Sequence, residues 1–99
     1  MVLVGLLAGC GGHAPPVDAA FVAKAQATWP EASVANLDRG REILITACTK
    51  CHGIRTPSDY TLREWQGYLR EMAPKAQLSE DQVALLLRYV TVAREVVPP

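Results

Sequence analysis

Cys48, Cys51 and His52 constrain this chain more than any other feature, because Cys-x-x-Cys-His is the attachment pattern of c-type haem. Two thiols separated by two residues on one turn can each form a thioether with a haem vinyl group. The imidazole that follows can then ligate the iron from below the macrocycle. We therefore predict one covalently attached haem c, with His52 as an axial ligand of the iron.

Two other chemistries use similar spacings. A structural zinc site needs four ligands, usually in two pairs, and the remaining candidates, Cys10 and His13, lie near the N-terminus. A thioredoxin-like redox pair is expected within a βαβ pattern, and no convincing strand pattern flanks residues 48–52. Haem attachment is favoured over both alternatives.

The N-terminus predicts export. Residues 2–9 form an uncharged apolar segment that ends in small residues, as secretory signals do. The sequence Leu-Ala-Gly-Cys that ends at Cys10 looks like a bacterial lipobox, in which the cysteine receives a lipid and becomes the mature N-terminus. We predict a signal peptide over residues 1–9, lipidation at Cys10, and a glycine- and proline-rich tether over residues 10–16. The alternatives are an ordinary cleaved signal and a buried N-terminal segment with an incidental cysteine.

Haem attachment and export both imply a location outside the cytoplasm. The apolar segment is shorter than the roughly 20 residues that a membrane-spanning helix needs, so it predicts a lipid anchor in the periplasm or cell envelope. With 99 residues the chain is long enough for one small domain, to which a haem would add apolar area for the core. Ten basic and ten acidic residues cancel, which argues against nucleic acid as a partner.

The periodic segments predict an all-α fold. Residues 17–28 are rich in alanine and favour a short helix. Asn36 is a plausible N-cap for a second helix from Leu37 to about Ala47. The apolar positions of that helix recur with helical spacing and predict one buried face.

Two capping boxes predict where the last two helices begin. Thr-x-x-Glu at 61–64 opens a helix that should end just before Pro74, because proline disfavours helix at the preceding residue. Ser-x-x-Gln at 79–82 opens a final helix that runs to about Glu95. The loop between the second and third helices contains Gly and Pro, as connecting segments do.

Met72 is the predicted sixth ligand of the iron. It shares one face of the third helix with Leu62, Trp65 and Leu69. The chain has one other methionine, Met1, which would be removed with the signal. Methionine on an apolar face is more often ordinary core filler. A vacant sixth position is the other alternative. Lysine ligands would first have to lose a proton.

Together these residues resemble the class I c-type cytochromes, specifically the compact bacterial single-haem domains. The resemblance covers about residues 37–95 and implies three core helices packed around one covalent haem. We assign residues 37–97 to this domain and residues 17–36 to a possible additional N-terminal helix. The matching positions are residues 40–44, the attachment motif, Pro57, Trp65, Met72, Leu78, Ser79 and Tyr89.

The resemblance also implies specific contacts. Gly40 would allow the first and last core helices to approach closely at Tyr89. The carbonyl of Pro57 would accept a hydrogen bond from the second nitrogen of His52, which fixes the ring orientation. Trp65 would pack against the haem edge or a propionate, and plain core burial is the alternative for it.

The predicted function is electron transfer between redox proteins of the cell envelope, by a single-haem cytochrome with His/Met ligation. The chain offers no acid–base pair or nucleophile that would suggest an enzyme, and no small-molecule substrate is expected. Two alternatives stay open. The chain could be the haem-bearing subunit of a periplasmic dehydrogenase or oxidase, or a haem sensor with an open sixth position.

Overall fold

The computed structural model describes residues 14–46 and 56–96, and in these residues the secondary structure is helical, without a strand. This confirms the all-α prediction. The described part of the chain contains α1 (Ala19–Gln26), α2 (Val34–Thr46), a short 3-10 helix (Pro57–Asp59), α3 (Leu62–Ala76) and α4 (Glu80–Val96).

Helix α4 is the centre of the fold. Helices α1, α2 and α3 and the 3-10 helix all pack against it, and its contact with α2 is the most extensive. Its apolar residues recur every three or four positions and so lie on one stripe. The stripe forms the middle of the core, with Leu86, Tyr89, Val90 and Ala93 buried. Val83 and Leu87, at the edge of the stripe, are half-buried.

Helix α1 confirms the predicted short helix within residues 17–28. The carboxylate of Asp18 caps it by accepting a hydrogen bond from the Phe21 amide at 2.9 Å. Phe21 is buried, and its ring stacks on that of Tyr89 with 5.3 Å between centroids. The N-terminal segment therefore contributes to the same core as the later helices.

The predicted start of α2 is wrong by one turn. The helix begins at Val34, and Ser33 rather than Asn36 is the cap. The Ser33 hydroxyl accepts from the Asn36 amide at 3.3 Å, and the Asn36 side-chain oxygen accepts from the Ser33 amide at 2.9 Å. Asn36 thus occupies the third helical position, where it completes a capping box in the way glutamate or glutamine usually does.

Helix α3 begins as predicted. The Thr61 hydroxyl accepts from the Glu64 amide at 3.1 Å, and the Glu64 carboxylate accepts from the Thr61 amide at 2.9 Å. These two bonds satisfy amides that have no partner within the helix. The capping box at 61–64 is confirmed.

The predicted end of α3 is wrong, because the helix continues through Pro74 to Ala76. Pro74 is exposed in the last turn, so its ring removes one helical hydrogen bond without disturbing the core. Gln77 follows the last helical residue and terminates the helix in the left-handed conformation, with φ 59° and ψ 43°. The Leu78 amide then donates to the Ala73 carbonyl at 2.9 Å, which closes the helix in a Schellman motif.

The capping box at 79–82 opens α4 as predicted. The Gln82 side-chain oxygen accepts from the Ser79 amide at 2.8 Å, and the Ser79 hydroxyl accepts from the Gln82 amide at 3.1 Å. Among the described residues, no helix combines the length and apolar character needed to cross a bilayer.

Candidate functional site

The predicted attachment residues Cys48, Cys51 and His52, and the predicted lipidation site Cys10, lie outside the described residues. Both ends of the segment that carries the attachment motif are nevertheless fixed. Helix α2 ends at Thr46, two residues before Cys48, and the chain is described again from residue 56, where the 3-10 helix follows. Because both elements pack on α4, the motif joins two fixed points of the core.

Helix α2 crosses α4 at Gly40 with no space for a side chain. A Cβ atom at this glycine would lie 2.8 Å from the Cβ of Tyr89 and closer still to the carbonyl oxygen of Leu85. Such distances are well inside van der Waals contact, so only glycine permits this approach. The expected contact between Gly40 and Tyr89 is present.

Tyr89 is fully buried, and its hydroxyl donates a hydrogen bond to the carbonyl oxygen of Pro15 at 2.6 Å. Burial raises the pKa of this phenol well above its ordinary value, although the guanidinium of Arg41 acts in the opposite direction. The hydroxyl therefore stays protonated and remains a donor across the physiological range.

Pro57 and Trp65 are brought together. The indole Nε1–H of Trp65 donates to the carbonyl oxygen of Pro57 at 2.8 Å, and both residues are buried. The predicted hydrogen bond from His52 to this same carbonyl stays a prediction, because His52 lies outside the described residues. A carbonyl oxygen has two lone pairs, so the bond from Trp65 leaves room for it.

Trp65 is buried against aromatic neighbours. Its ring meets that of Tyr60 edge to face with 5.4 Å between centroids, and Tyr60 in turn lies 4.6 Å from Tyr68. The Tyr60 carbonyl accepts a hydrogen bond from Nε of Arg94 at 2.8 Å, which ties this cluster to α4. The structure thus shows core burial for Trp65, while its contact with a haem stays a prediction.

Met72 lies on the predicted face of α3. Leu69 and Trp65 on this face are buried, whereas Met72 is half-buried and packs against the edge of the core. Tyr68, one turn before Met72, is 42% exposed. A thioether at the rim of the core could contact a planar group placed against it, because part of its surface is not covered by the described residues.

A groove of about 560 Å³ runs between α3 and α4 on a different side from Met72. Its lining includes the apolar Leu69, Ala73 and Leu87 and the charged Arg70 and Glu80. A second groove of about 310 Å³ shares Gln66 and Leu87 with it and extends toward Trp29. Trp29 is half-buried, and the guanidinium carbon of Arg88 lies 5.0 Å from the centre of its ring.

Several of these contacts were not foreseen from the sequence. The bonds of Trp65 to Pro57, Tyr89 to Pro15 and Arg94 to Tyr60 join side chains to backbone carbonyls, which carry no sequence signal of their own.

Within residues 14–46 and 56–96, no three His, Cys, Asp or Glu side chains are grouped so that they could hold a metal ion.

No protein-family model matches the chain, and comparison with curated proteins and with solved structures likewise gives no match. The resemblance to class I c-type cytochromes therefore rests on the residues themselves and on the contacts described above.

Proposed function

We propose that this chain is a lipid-anchored, single-haem cytochrome c that transfers electrons between redox proteins of the bacterial cell envelope. Cys48 and Cys51 would hold the haem covalently, and His52 and Met72 would be the two axial ligands. The proposal assigns no catalytic residue, because electron transfer requires no bond chemistry at the protein.

The structural observation that carries this proposal is the crossing of α2 and α4 at Gly40 and Tyr89. The resemblance implies this contact from the sequence alone, although the two residues lie far apart in the chain. The attachment motif follows α2 almost directly, so the same helix that makes this close contact leads into Cys48.

The position of Met72 agrees with a role as ligand. Its half-buried side chain lies on α3, and the adjoining Trp65 ring is held by the Pro57 carbonyl, close to the end of the motif segment. One hydrogen bond therefore links the face of α3 that carries Met72 with Pro57, which follows the motif segment. Thioether ligation raises a haem reduction potential relative to bis-histidine ligation, which suits a carrier that delivers electrons to an oxidant.

A bound haem c would supply a one-electron couple at its iron. The chain's own residues would retain the group through two thioethers, exclude water with the Trp65 and Leu69 side chains, and hold the iron low-spin between imidazole and thioether. Encounters with partners would be small and transient, with less than about 1,200 Å² of buried surface.

The first test is the absorption spectrum of the purified, exported protein in both redox states. Covalent attachment predicts that the haem stays with the chain after acid–acetone extraction, and that Cys48→Ala with Cys51→Ala abolishes this retention. Haem that extracts freely from the wild-type protein would contradict the assignment.

Substitution of Met72 tests the sixth ligand. Met72→Leu keeps the volume and apolar character of the side chain but removes the sulfur atom, so it separates ligation from packing. We expect Met72→Leu and Met72→Ala both to convert a low-spin haem to a high-spin or differently ligated one and to lower its potential.

The control is Leu62→Met, which places a thioether nearly three turns away on the same face and should leave the spectrum unchanged. An unaltered spectrum in Met72→Leu would show that another group is the ligand. A wild-type ferrous protein that is five-coordinate and binds carbon monoxide at once would favour the sensor alternative.

The lipid anchor is tested by mass spectrometry of the membrane fraction. A mature N-terminus at Cys10 that carries a diacylglyceryl group is expected. Soluble protein that begins at another residue would exclude the anchor. The haem assignment would not be affected, because the absorption spectrum tests it separately.

A further inference from the structure

The residues just after the proposed anchor are fixed to the core. The Tyr89 hydroxyl donates to the Pro15 carbonyl at 2.6 Å, and Nε of Arg41 donates to the Ala14 carbonyl at 3.0 Å. Ala14 is 4% exposed and Pro15 is buried as well. We call these four residues the N-terminal clasp. It shortens the predicted tether, because the chain is already held at Ala14.

The clasp limits how far the domain can move from its anchor. Only four peptide units separate Cys10 from Ala14. A fully extended chain covers at most about 3.6 Å per residue, so the two Cα atoms are at most about 14 Å apart. If Cys10 carries the lipid, as the proposed function requires, the clasp must remain within this distance of the bilayer surface.

The clasp and α3 lie on different sides of α4. Successive residues of a helix are rotated by about 100°, so Tyr89 and Leu87 project in nearly opposite directions. Tyr89 contacts α2 and Pro15, whereas Leu87 lines the groove against α3. Two helices side by side measure about 20 Å across, which is more than the tether can reach.

We infer that the clasp orients the domain on the membrane, with the side formed by α1 and α2 toward the lipid surface and α3 away from it. Exposed Ala20, in the first turn of α1, lies on the membrane side. Met72 and Tyr68 belong to α3 and therefore to the side that is held away from the lipid surface. The helix that carries the proposed iron ligand is thus accessible to soluble redox partners rather than covered by the bilayer.

Spin labels test this orientation. A nitroxide is attached through a ketone-bearing amino acid at Ala20 or at Glu71, which are both exposed and lie on α1 and α3. The anchored protein is placed in phosphatidylcholine vesicles that contain a nickel-chelating lipid. We expect several-fold stronger paramagnetic relaxation at Ala20 than at Glu71. A freely diffusing nickel complex is the control, and it should relax both labels about equally.

Two variants separate the clasp from other causes of orientation. A flexible Gly-Ser insertion of about ten residues between His13 and Ala14 lengthens the tether without touching the fold, and it should remove most of the difference between the labels. Tyr89→Phe should reduce the difference partly, because the bond from Arg41 remains. Equal relaxation at both positions in the wild-type protein, or a difference that survives the insertion, would overturn the inference.

Failure of the lipid assignment is distinguishable from failure of this inference. If mass spectrometry shows no lipid at Cys10, the protein with a free Cys10 thiol is coupled to vesicles that contain a maleimide lipid, and the same two labels are compared. The geometry of the clasp then predicts the same difference, whatever the natural anchor is.

Discussion

Helix α2 packs against α4 through direct contact with its backbone, whereas α3 packs against the same helix through side chains and leaves a groove open. On the α2 side, Gly40 brings the two helices so close that no Cβ fits between them. On the α3 side, a groove of about 560 Å³ remains, and Met72 at the edge of the helix is only half-buried.

This difference separates a side of α4 where the helices touch without free space from a side where space remains beside the helix. On the α2 side, the close packing at Gly40 leaves no space for an added carbon atom. The α3 side is held by a few anchors, chiefly Trp65 and its bond to Pro57. A haem ligated by Met72, as we propose, would cover a side chain that the described residues leave half-exposed.

The largest effect on stability is expected from Gly40→Ala. Its Cβ would overlap the Leu85 carbonyl oxygen and lie 2.8 Å from the Tyr89 Cβ, and a backbone atom cannot move aside cheaply. We expect a loss of about 3 kcal/mol or more in the free energy of unfolding, despite a gain of roughly 1 kcal/mol in helix propensity. Urea unfolding of the purified protein measures it.

Gly67→Ala is the matched control for the α3 side. This glycine is also within a helix, and a Cβ there would meet nothing within 4 Å. The substitution should therefore stabilise the protein by up to about 1 kcal/mol. If Gly40→Ala and Gly67→Ala had the same effect, the two sides of α4 would not differ in packing as described.

The second effect concerns the anchor of α3. Trp65→Phe leaves the buried Pro57 carbonyl without the indole donor, which lies 2.8 Å away in the wild type, and it leaves unfilled volume in the core. We expect a cost of about 2–3 kcal/mol. Hydrogen exchange should then increase in α3 more than in α2, which shows whether the two sides unfold separately.

Trp29→Phe serves as the control, because Trp29 is half-buried and its ring contacts a guanidinium at 5.0 Å. A phenyl ring retains part of that cation–π contact, so the loss should be below about 1 kcal/mol. Equal losses at the two tryptophans would contradict the role of Trp65 as the anchor.

Apart from the controls, the smallest effect is expected from Tyr89→Phe, which removes the bond to the Pro15 carbonyl but keeps the ring that packs on Gly40 and Phe21. A loss of about 1 kcal/mol is typical for one hydrogen bond. Tyr60→Phe, on the α3 side, removes a phenolic hydroxyl away from the clasp and should cost less.

The same variant has a pH signature. Because burial raises the pKa of Tyr89 in the folded protein, only the unfolded chain loses this proton when the pH first exceeds about 10. The stabilising contribution of Tyr89 is complete below that pH and decreases above it. The difference in stability between wild type and Tyr89→Phe should therefore shrink at alkaline pH. A difference that grows would contradict the raised pKa.

The local features of this fold were predictable from the sequence. The capping boxes at 61–64 and 79–82 lie within single turns, so the residues that form them are visible side by side in the sequence. The same locality explains the error at α2. Ser33 and Asn36 satisfy the same rule, but asparagine is read more readily as a cap than as the third residue of a box.

The end of α3 was not predictable in the same way. Proline before the last turn usually ends a helix, but Pro74 is exposed and the Schellman motif at Gln77 supplies the alternative bonds. The structure describes three residues of the predicted site, namely Met72, Pro57 and Trp65. The bond between the latter two was not foreseen, because a backbone carbonyl has no signature in the sequence.

The sequence by itself determined the all-α class, two of the helix starts and the chemistry expected at Cys48, Cys51 and His52. Only the tertiary structure decided that Gly40 lies so close to Tyr89 that no Cβ atom fits between them. It also decided that the Tyr89 hydroxyl donates to the carbonyl of Pro15, 74 residues away in the chain. The physical reason is how far apart the contacting residues lie in the sequence. Hydrogen bonds within one turn depend on neighbouring residues, whereas contacts between distant segments depend on how the whole core packs.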